Sequence, residues 1–386
     1  MQYDLTEEQL MIRDTVRRLA REKIAPRAAE IDEKAEYPFD ILDLFRESGL
    51  ISVNFPEAYG GQGAGLLTLC LIVEEVSKVD ASCGIIPCNS ELSFTPLLLG
   101  GSEEQKRKYL PKVISGEIIG AFCLTEPGAG SDAGSIATKA VKDGDKWVIN
   151  GRKCFTTNGG IADVYTVFAR SVPDSKGVRG LSVFLVEKGT KGLIIGKDEK
   201  KMGLRGSNTT EEIFEDCRIP LENLVGKEGD GFRIAMMTLD RTRPVVGAQA
   251  VGIAQGACDY ALQYAKERVQ FGQPIVRFQG LQWKLADMFT LTEAARQLVY
   301  KAAAAIDGIP EGGQFTPEAS RLSAQCKLFA SDVAMKVAVE AVQVAGGYGY
   351  MKDYPLERMM RDAKITQIYE GTNEIQRVVI GGHLLS

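Results

Sequence analysis

Histidine is nearly missing from this chain of 386 residues, and the only one, His383, lies three places from the end. No internal imidazole is left for a Ser-His dyad or a His-based metal site. Long apolar runs are missing as well. The longest, such as Leu66-Leu67-Thr68-Leu69-Cys70-Leu71-Ile72-Val73, fall well short of the ~18 or more residues that a membrane span needs. There is no excess of basic charge: 46 Lys and Arg stand against 51 Asp and Glu, a net charge of -5, so no broad positive field awaits a nucleic-acid backbone. The N-terminus has Asp4, Glu7 and Glu8 where a secretory signal would be apolar and an organelle presequence would be poor in acids. A cytoplasmic protein is expected, or a mitochondrial matrix protein already trimmed. Close cysteine pairs are absent too. Cys70, Cys83, Cys88, Cys123, Cys154, Cys217, Cys258 and Cys326 are scattered, which reads as reduced core residues without a metal cluster or disulfide framework.

What is present is an ordinary globular composition, 45% hydrophobic and 25% charged, on a chain long enough for two or three domains. Helical periodicity dominates the first third. Thr6 and Gln9 have capping-box spacing, Ile12, Val16, Leu19 and Ala20 recur at helical intervals, and Pro26 is expected to end that run. Further helices are expected around Pro38 to Ser48, Leu66 to Lys78 and Glu103 to Ser115. The period then changes. Asp143-Gly144 and Asn150-Gly151 read as hairpin turns flanking the strand Lys146 to Ile149, with more strands at Val164 to Phe168 and Leu181 to Val186, in a β domain ending near Pro220. After Gly231 helices return, with Val251, Cys258, Leu262 and Ala265 on one face and alanine-rich runs at Gln297 to Ile306 and Ala324 to Val344. Helix, then β, then helix lacks the strand-helix alternation of a dinucleotide fold and argues against one.

Two distant segments carry the chemistry. In Thr125-Glu126-Pro127-Gly128-Ala129-Gly130-Ser131-Asp132, small residues let backbone N–H groups approach a ligand, although the glycines alone equally describe a surface turn. In Ile368-Tyr369-Glu370-Gly371-Thr372-Asn373-Glu374, a carboxylate follows an aromatic residue; taken bare, it reads as a solvated loop acid. In that order, the pair resembles the flavin-binding loop and the catalytic-base segment of the flavin-dependent acyl-CoA dehydrogenases. The resemblance extends over essentially the whole chain.

It implies an α+β fold with an N-terminal all-α domain (1–118), a central antiparallel β domain (119–226) and a C-terminal four-helix bundle (227–386). It also implies FAD, held by Phe122, Leu124, Thr125, Gly130 and Ser131, with Ser131 also near the acyl-CoA, and by Phe155 and Thr157 beside the ring system; many relatives have Trp where Phe155 stands. Arg268, Gln279, Gln343, Gly346 and Gly347 match positions that clasp the dinucleotide half from a neighbouring subunit, which implies a homotetramer built as a dimer of dimers. Thr372, Asn373 and Glu374 match FAD contacts next to the base. Asp240-Arg241-Thr242-Arg243-Pro244 resembles a substrate-contacting turn in which Arg243 and Asp240 orient the base or the substrate, while the residues unaided read as a solvated helix face.

By the same resemblance Glu370 removes the α proton of a CoA thioester while the β hydrogen leaves as hydride toward flavin N5, giving a 2-enoyl-CoA. Gly371 adjoins that base, and electron-transfer flavoprotein takes the electrons. A carboxylate can do this only if desolvation raises its pKa and hydrogen bonds polarise the thioester carbonyl. Glu91, in Asn89-Ser90-Glu91-Leu92-Ser93, puts an acid in a stretch that lines the acyl pocket of relatives. It reads either as an ion-pair partner of a nearby Lys or Arg or as a second acid in the acyl pocket, the latter pointing to a short, medium or alicyclic acyl group. Gly84 and Glu91 together argue against glutaryl-CoA. Two rivals remain at this point: an acyl-CoA oxidase, and a non-catalytic scaffold that binds CoA esters.

Overall fold

The computed structural model describes residues 5–172, 175, 177–310, 313 and 315–385. Helix α1 (Glu7–Leu19) opens on the expected capping box: Gln9 N–H donates to Thr6 Oγ1 at 3.2 Å and Thr6 N–H to Gln9 Oε1 at 3.1 Å. Pro26 does not end the run. The chain widens into a π turn over Ala20–Ile24 and tightens into a 3-10 turn over Ala25–Arg27, which places Pro26 at the start of a new turn where its missing N–H costs nothing. Helix α2 (Ala28–Lys34) continues directly, and the left-handed Ala35 stops it.

The expected helices are α3 (Phe39–Glu47) and α4 (Gly65–Ser77), and later α6 (Glu103–Ile114). Between α4 and α6 lies α5 (Ala81–Gly100), which no sequence signal announces. It runs through Pro87 and Pro96, both buried, and Asp80 starts it by accepting from Cys83 N–H at 2.7 Å.

The sheet follows: β1 (Gly120–Cys123), β2 (Lys139–Asp143), β3 (Lys146–Thr157), β4 (Val164–Arg170), β5 (Leu181–Glu187), β6 (Leu193–Ile195), β7 (Thr209–Pro220) and β8 (Leu224–Val225). Its order is β6-β7-β3-β2-β4-β5-β8, with β1 added against β4. Pairing is antiparallel except for β1 with β4 and a single parallel pairing of β2 with β4. Asp143-Gly144 makes the predicted hairpin, with Gly144 at φ +63. Asn150-Gly151 does not. There β3 runs on, and its register against β7 slips between Ile149 and Gly151, where the Asn150 side chain donates to Asp216 Oδ1 and accepts from Asp216 N–H across the gap. The turn signature marks a β-bulge here.

Helix α7 (Gly231–Glu267), a short β9–β10 hairpin (Val269–Gln270, Gln273–Pro274), α8 (Gln279–Asp307), α9 (Pro317–Ala345), α10 (Leu356–Thr366) and α11 (Asn373–Leu385) complete the chain. Asp240 to Pro244 lies inside α7 as helix, not turn, and Thr242 and Arg243 face the interior.

The two helical regions share one core. Ile72, Val76 and Ile86 of α4 and α5 pack in the same cluster as Val251, Val299 and Val337 of α7, α8 and α9. One face of the sheet packs against α5, α6 and the start of α7 through Phe94, Leu110, Phe168 and Ile234; the other buries Trp147, Tyr165 and Phe184. All eight cysteines are free thiols, and all but the half-buried Cys154 are buried. Among the described residues no helix is long and apolar enough to cross a membrane, and no cluster of His, Cys, Asp and Glu could hold a metal ion.

Candidate active site

Helix α10 ends where Thr366 returns its hydroxyl to Ala363 O, and the chain must reverse before α11. Glu370 at φ +52 and Gly371 at φ +93 make that reversal. A non-glycine residue in the left-handed region is strained unless its surroundings hold it there. Here they do. Asn373 N–H donates to Gln367 O at 3.0 Å and Gln376 Nε2 donates to Gly371 O at 2.8 Å, while Lys327 of α9 donates to Gly371 O at 2.8 Å and to Asn373 Oδ1 at 3.0 Å. Thr372 Oγ1 accepts from Ile375 N–H at the start of α11, and Glu374 is exposed on its first turn.

The half-buried Glu370 side chain accepts the Thr242 hydroxyl at Oε2, 2.5 Å away. Burial raises its carboxyl to about 7, against the lowering pull of Thr242, Arg243 and Lys327, and Glu91 pushes it further up. That suits a general base near neutral pH. Arg243 does not touch the carboxylate. Its Nη1 donates to Asp240 at 2.5 Å, Asp240 accepts in turn from Ser320 at 2.7 Å, and Arg243 Nε, buried, has no partner among the described residues.

Glu91 is fully buried and both of its oxygens are occupied. Oε1 accepts from Arg241 Nε at 2.5 Å and from Thr95 at 3.1 Å; Oε2 accepts from Asn54 at 2.8 Å. Of the two readings of this residue, the geometry is that of the ion pair. Its partner is the residue next to Thr242, so one turn of α7 serves both acids.

On the sheet side, the end of β1 and the bulged half of β3 form a second group. Thr125 O accepts from Cys154 N–H at 3.0 Å, and Glu126 and Ala129 bond each other's backbones in a tight turn. Lys153, completely buried, donates to Leu124 O at 3.0 Å and to Glu126 Oε1 at 2.7 Å, while Glu126 also accepts from Ala137 and Thr138 N–H at 2.6 and 3.0 Å. The loop is thus fixed from behind and open in front: a Cβ on Gly128 or Gly130 would meet nothing within 4 Å. The register slip between Lys153 and Thr156 turns Phe155 outward at φ +58, 71% exposed, beside Thr157. Phe122 and Leu124 are half-buried, and Ser131 is exposed. An exposed aromatic next to bare backbone fits a flat aromatic cofactor such as a flavin.

A third group lines a groove of about 510 Å³: Arg268, whose guanidinium lies 5.3 Å from the Tyr348 ring, with Ile275, Gly346 and Gly347. Both glycines have open space where a Cβ would be. Gln279 and Gln343 are exposed and do not line this groove. Another cleft, about 1000 Å³, is lined by Arg17, Glu75, Lys78 and Arg296, which are already paired, and by none of the residues above.

In the sequence Thr242 stands out only as a member of the Asp240 to Pro244 stretch, and Lys153 and Lys327 belong to no motif. The usable signal was a lysine at a position otherwise filled by buried small residues: Ser323, Ala324, Ala330 and Ser331 surround Lys327 on α9.

Compared with known proteins, residues 6–117, 121–217 and 229–385 match the N-terminal, middle and C-terminal domains of acyl-CoA dehydrogenase. An acyl-CoA dehydrogenase of Bacillus subtilis is 52% identical over 99% of both chains. Among solved structures, butyryl-CoA dehydrogenase from Megasphaera elsdenii superposes with a TM-score of 0.95 at 46% identity over 100% of both chains. A chain from a structure described as the electron transferring flavoprotein of Acidaminococcus fermentans does so with a TM-score of 0.95 at 50% identity, again over 100% of both.

Proposed function

The chain belongs to the acyl-CoA dehydrogenase family of flavoprotein oxidoreductases, and from that premise we propose that it removes the α and β hydrogens of a short-chain, butyryl-like CoA thioester with Glu370 as the base and FAD as the cofactor. The observation that carries this reading is the Glu370 carboxyl, raised to about 7 in a strained loop and hydrogen-bonded to Thr242. A carboxylate in water is far too weak a base for a thioester α C–H; a desolvated one close to its pKa is matched to the task at neutral pH.

FAD, when bound, supplies the acceptor for the two electrons of the β C–H bond. The residues that would hold its ring system are Phe122, Leu124, Thr125, Gly130, Ser131, Phe155 and Thr157, with Thr372 and Glu374 next to the base. Arg268, Gly346 and Gly347, with Gln279 and Gln343, would hold the dinucleotide half of a neighbouring subunit, so the working enzyme is a homotetramer. Glu370 takes the α proton, and its own backbone N–H polarises the thioester carbonyl. The ion pair of Glu91 with Arg241 leaves no free carboxylate oxygen for a second acid, which favours a simple saturated acyl group over a cyclic one.

The likeness to a structure described by its electron transferring flavoprotein supports that class of partner as the electron acceptor, rather than oxygen. Titration of the purified protein with butyryl-CoA under argon is the test. The reading requires the yellow colour to bleach, and Glu370→Gln to prevent the bleaching while flavin stays bound. A colourless protein, full activity in the Glu370→Gln variant or stoichiometric oxygen uptake during turnover would overturn it.

A further inference from the structure

Among the described residues, Lys327 ties the base loop to helix α9 through its ammonium, which burial pulls down to about 7 while Glu370 draws it back up. It has no exposed surface, and its ammonium is spent on two acceptors, Gly371 O and Asn373 Oδ1, at 2.8 and 3.0 Å. Neither belongs to an acid. An ammonium in the interior normally sits on a carboxylate, because desolvating it without one is expensive. Here it is placed on the carbonyl immediately after the base and on the first residue of α11, so both ends of the reversal through Gly371 and Thr372 hang from one atom.

The site around it is built to keep that atom in place. Asn373, itself buried, donates to Ser331 at 2.9 Å and to Asp332 at 2.7 Å, both on the next turn of α9. Gln376 donates to the same Gly371 carbonyl at 2.8 Å. The charged and titratable groups facing Lys327 are Glu370 in the loop, Glu374 on α11, Arg243 on α7 and Asp332 on α9. Those facing Glu370 are Arg243, Lys327 and Glu91. Cys88 of α5 and Tyr369 are neutral neighbours.

We propose that Lys327 is a positioning residue for the base: it holds Glu370 in its left-handed backbone conformation through the Gly371 carbonyl and, in its ammonium form, sets a positive charge behind that base. The inference rests on Glu370 being the base. It has two separable consequences. Losing the hydrogen bonds lets Glu370 relax away from the strained conformation, which slows proton removal without weakening the binding of the CoA thioester. Losing the charge makes the carboxylate harder to form.

The test uses the flavin-loaded tetramer with butyryl-CoA and three variants. In Lys327→Met, which keeps the length and loses donor and charge, turnover at pH 7 is expected to fall by about tenfold or more with KM changed by less than about twofold. The acidic limb of its kcat/KM profile moves up by at least about half a pH unit. Exchange of the α hydrogens of butyryl-CoA in D2O, read by mass spectrometry, falls in step with turnover. Lys327→Arg keeps the charge and restores the limb, whatever its effect on turnover. If the Met protein does not fold, Lys327→Gln, which keeps an N–H donor and no charge, is measured instead, and its limb is expected to move up likewise. A wild-type limb in the uncharged variant that folds overturns the proposal, as does wild-type turnover. Glu370→Gln in the same assays separates the two readings: activity there removes the base itself, whereas an inactive Glu370→Gln variant beside an unaltered Lys327 variant removes only the role of Lys327.

Discussion

Thr242 and Glu370, 128 residues apart, share one hydrogen bond, in which the hydroxyl of the helix α7 threonine donates to the carboxylate Oε2 of the loop glutamate. Because only the ionised acid accepts this bond at full strength, it opposes the burial that raises the carboxyl to about 7.

The pH profile follows from that balance. The acid is inactive as a base when protonated, so kcat/KM of the wild-type enzyme should rise about tenfold per pH unit below about 7 and level off above it. Removing the hydroxyl in Thr242→Val takes away a lowering influence, so the limb should move up by about one unit, the worth of a hydrogen bond to a charged group. Steady-state rates with butyryl-CoA from pH 5.5 to 9, on the order of seven points, check both statements. A limb in Thr242→Val that stays put, or moves down, would contradict the role given to the hydroxyl.

Glu91 and Arg241 make a different kind of pair, buried on the glutamate side and already complete with Thr95 and Asn54. Breaking it from one side leaves a desolvated charge, so Arg241→Met should cost roughly 3 to 5 kcal/mol of stability, and combining it with Glu91→Gln should recover most of that loss. Urea unfolding of the single and double variants decides. Glu91→Gln alone should leave relative rates across linear acyl-CoAs within about twofold, since its carboxylate is occupied elsewhere; a selective loss on any one chain length would return Glu91 to the acyl pocket.

Where the sequence could be read and where it could not divides along the range of the forces involved. The Thr6 capping box and the Gly144 turn are local, decided by a few residues, and both stand where the pattern put them. Asn150-Gly151 carries an equally local turn signature, yet Asp216, 66 residues away, holds it in a continuous strand. Helix α5 was hidden by Pro87 and Pro96, whose lost hydrogen bonds are offset by burying nearly the whole helix. The site divides the same way. Glu370 and the Gly128–Gly130 loop were visible through resemblance, but Lys327 sits far from Glu370 in sequence, within a helix, and a lysine among alanines gives no hint of which carbonyl it will reach.

Lys153 and Glu126 behind the candidate flavin loop form a buried pair in which the acid also gathers two backbone N–H groups. Burial pulls the Lys153 ammonium below its ordinary range while Glu126 draws it back up. In Lys153→Met, Leu124 O and the Glu126 carboxylate lose their common donor, and the loop is no longer fixed from behind. The expected result is a folded protein that loses flavin on gel filtration and has a flavin Kd raised about tenfold or more, as the worth of a buried charged hydrogen bond implies. Absorbance at about 450 nm per protein, in the visible flavin band, reads it directly; full retention of flavin would show that the clamp is irrelevant to the loop.

Glu212 on β7 is a buried acid with no ion-pair partner among the described residues. Its Oε1 accepts from Thr210 at 2.6 Å, its Oε2 has no partner among the described residues, and Gly159 packs so closely that any Cβ there would collide with it. Burial lifts its carboxyl to about 7. The folded protein therefore keeps a proton here that the unfolded chain releases near the ordinary carboxylate value. Where the native state binds more protons than the unfolded one, stability falls as pH rises, so Glu212 is harmless in acid and costs stability increasingly as pH climbs through about 7. Glu212→Gln removes the titration and keeps the shape. Relative to wild type, the variant should gain stability between pH 5 and pH 8, by up to on the order of 3 kcal/mol. Depressed acids such as Glu75 and Glu126 contribute slopes of the opposite sign, but they are common to both proteins and cancel in the difference. Urea midpoints of the pair at the two pH values measure it, and a gap that does not widen with pH would mean that Glu212 is ionised in the native sheet.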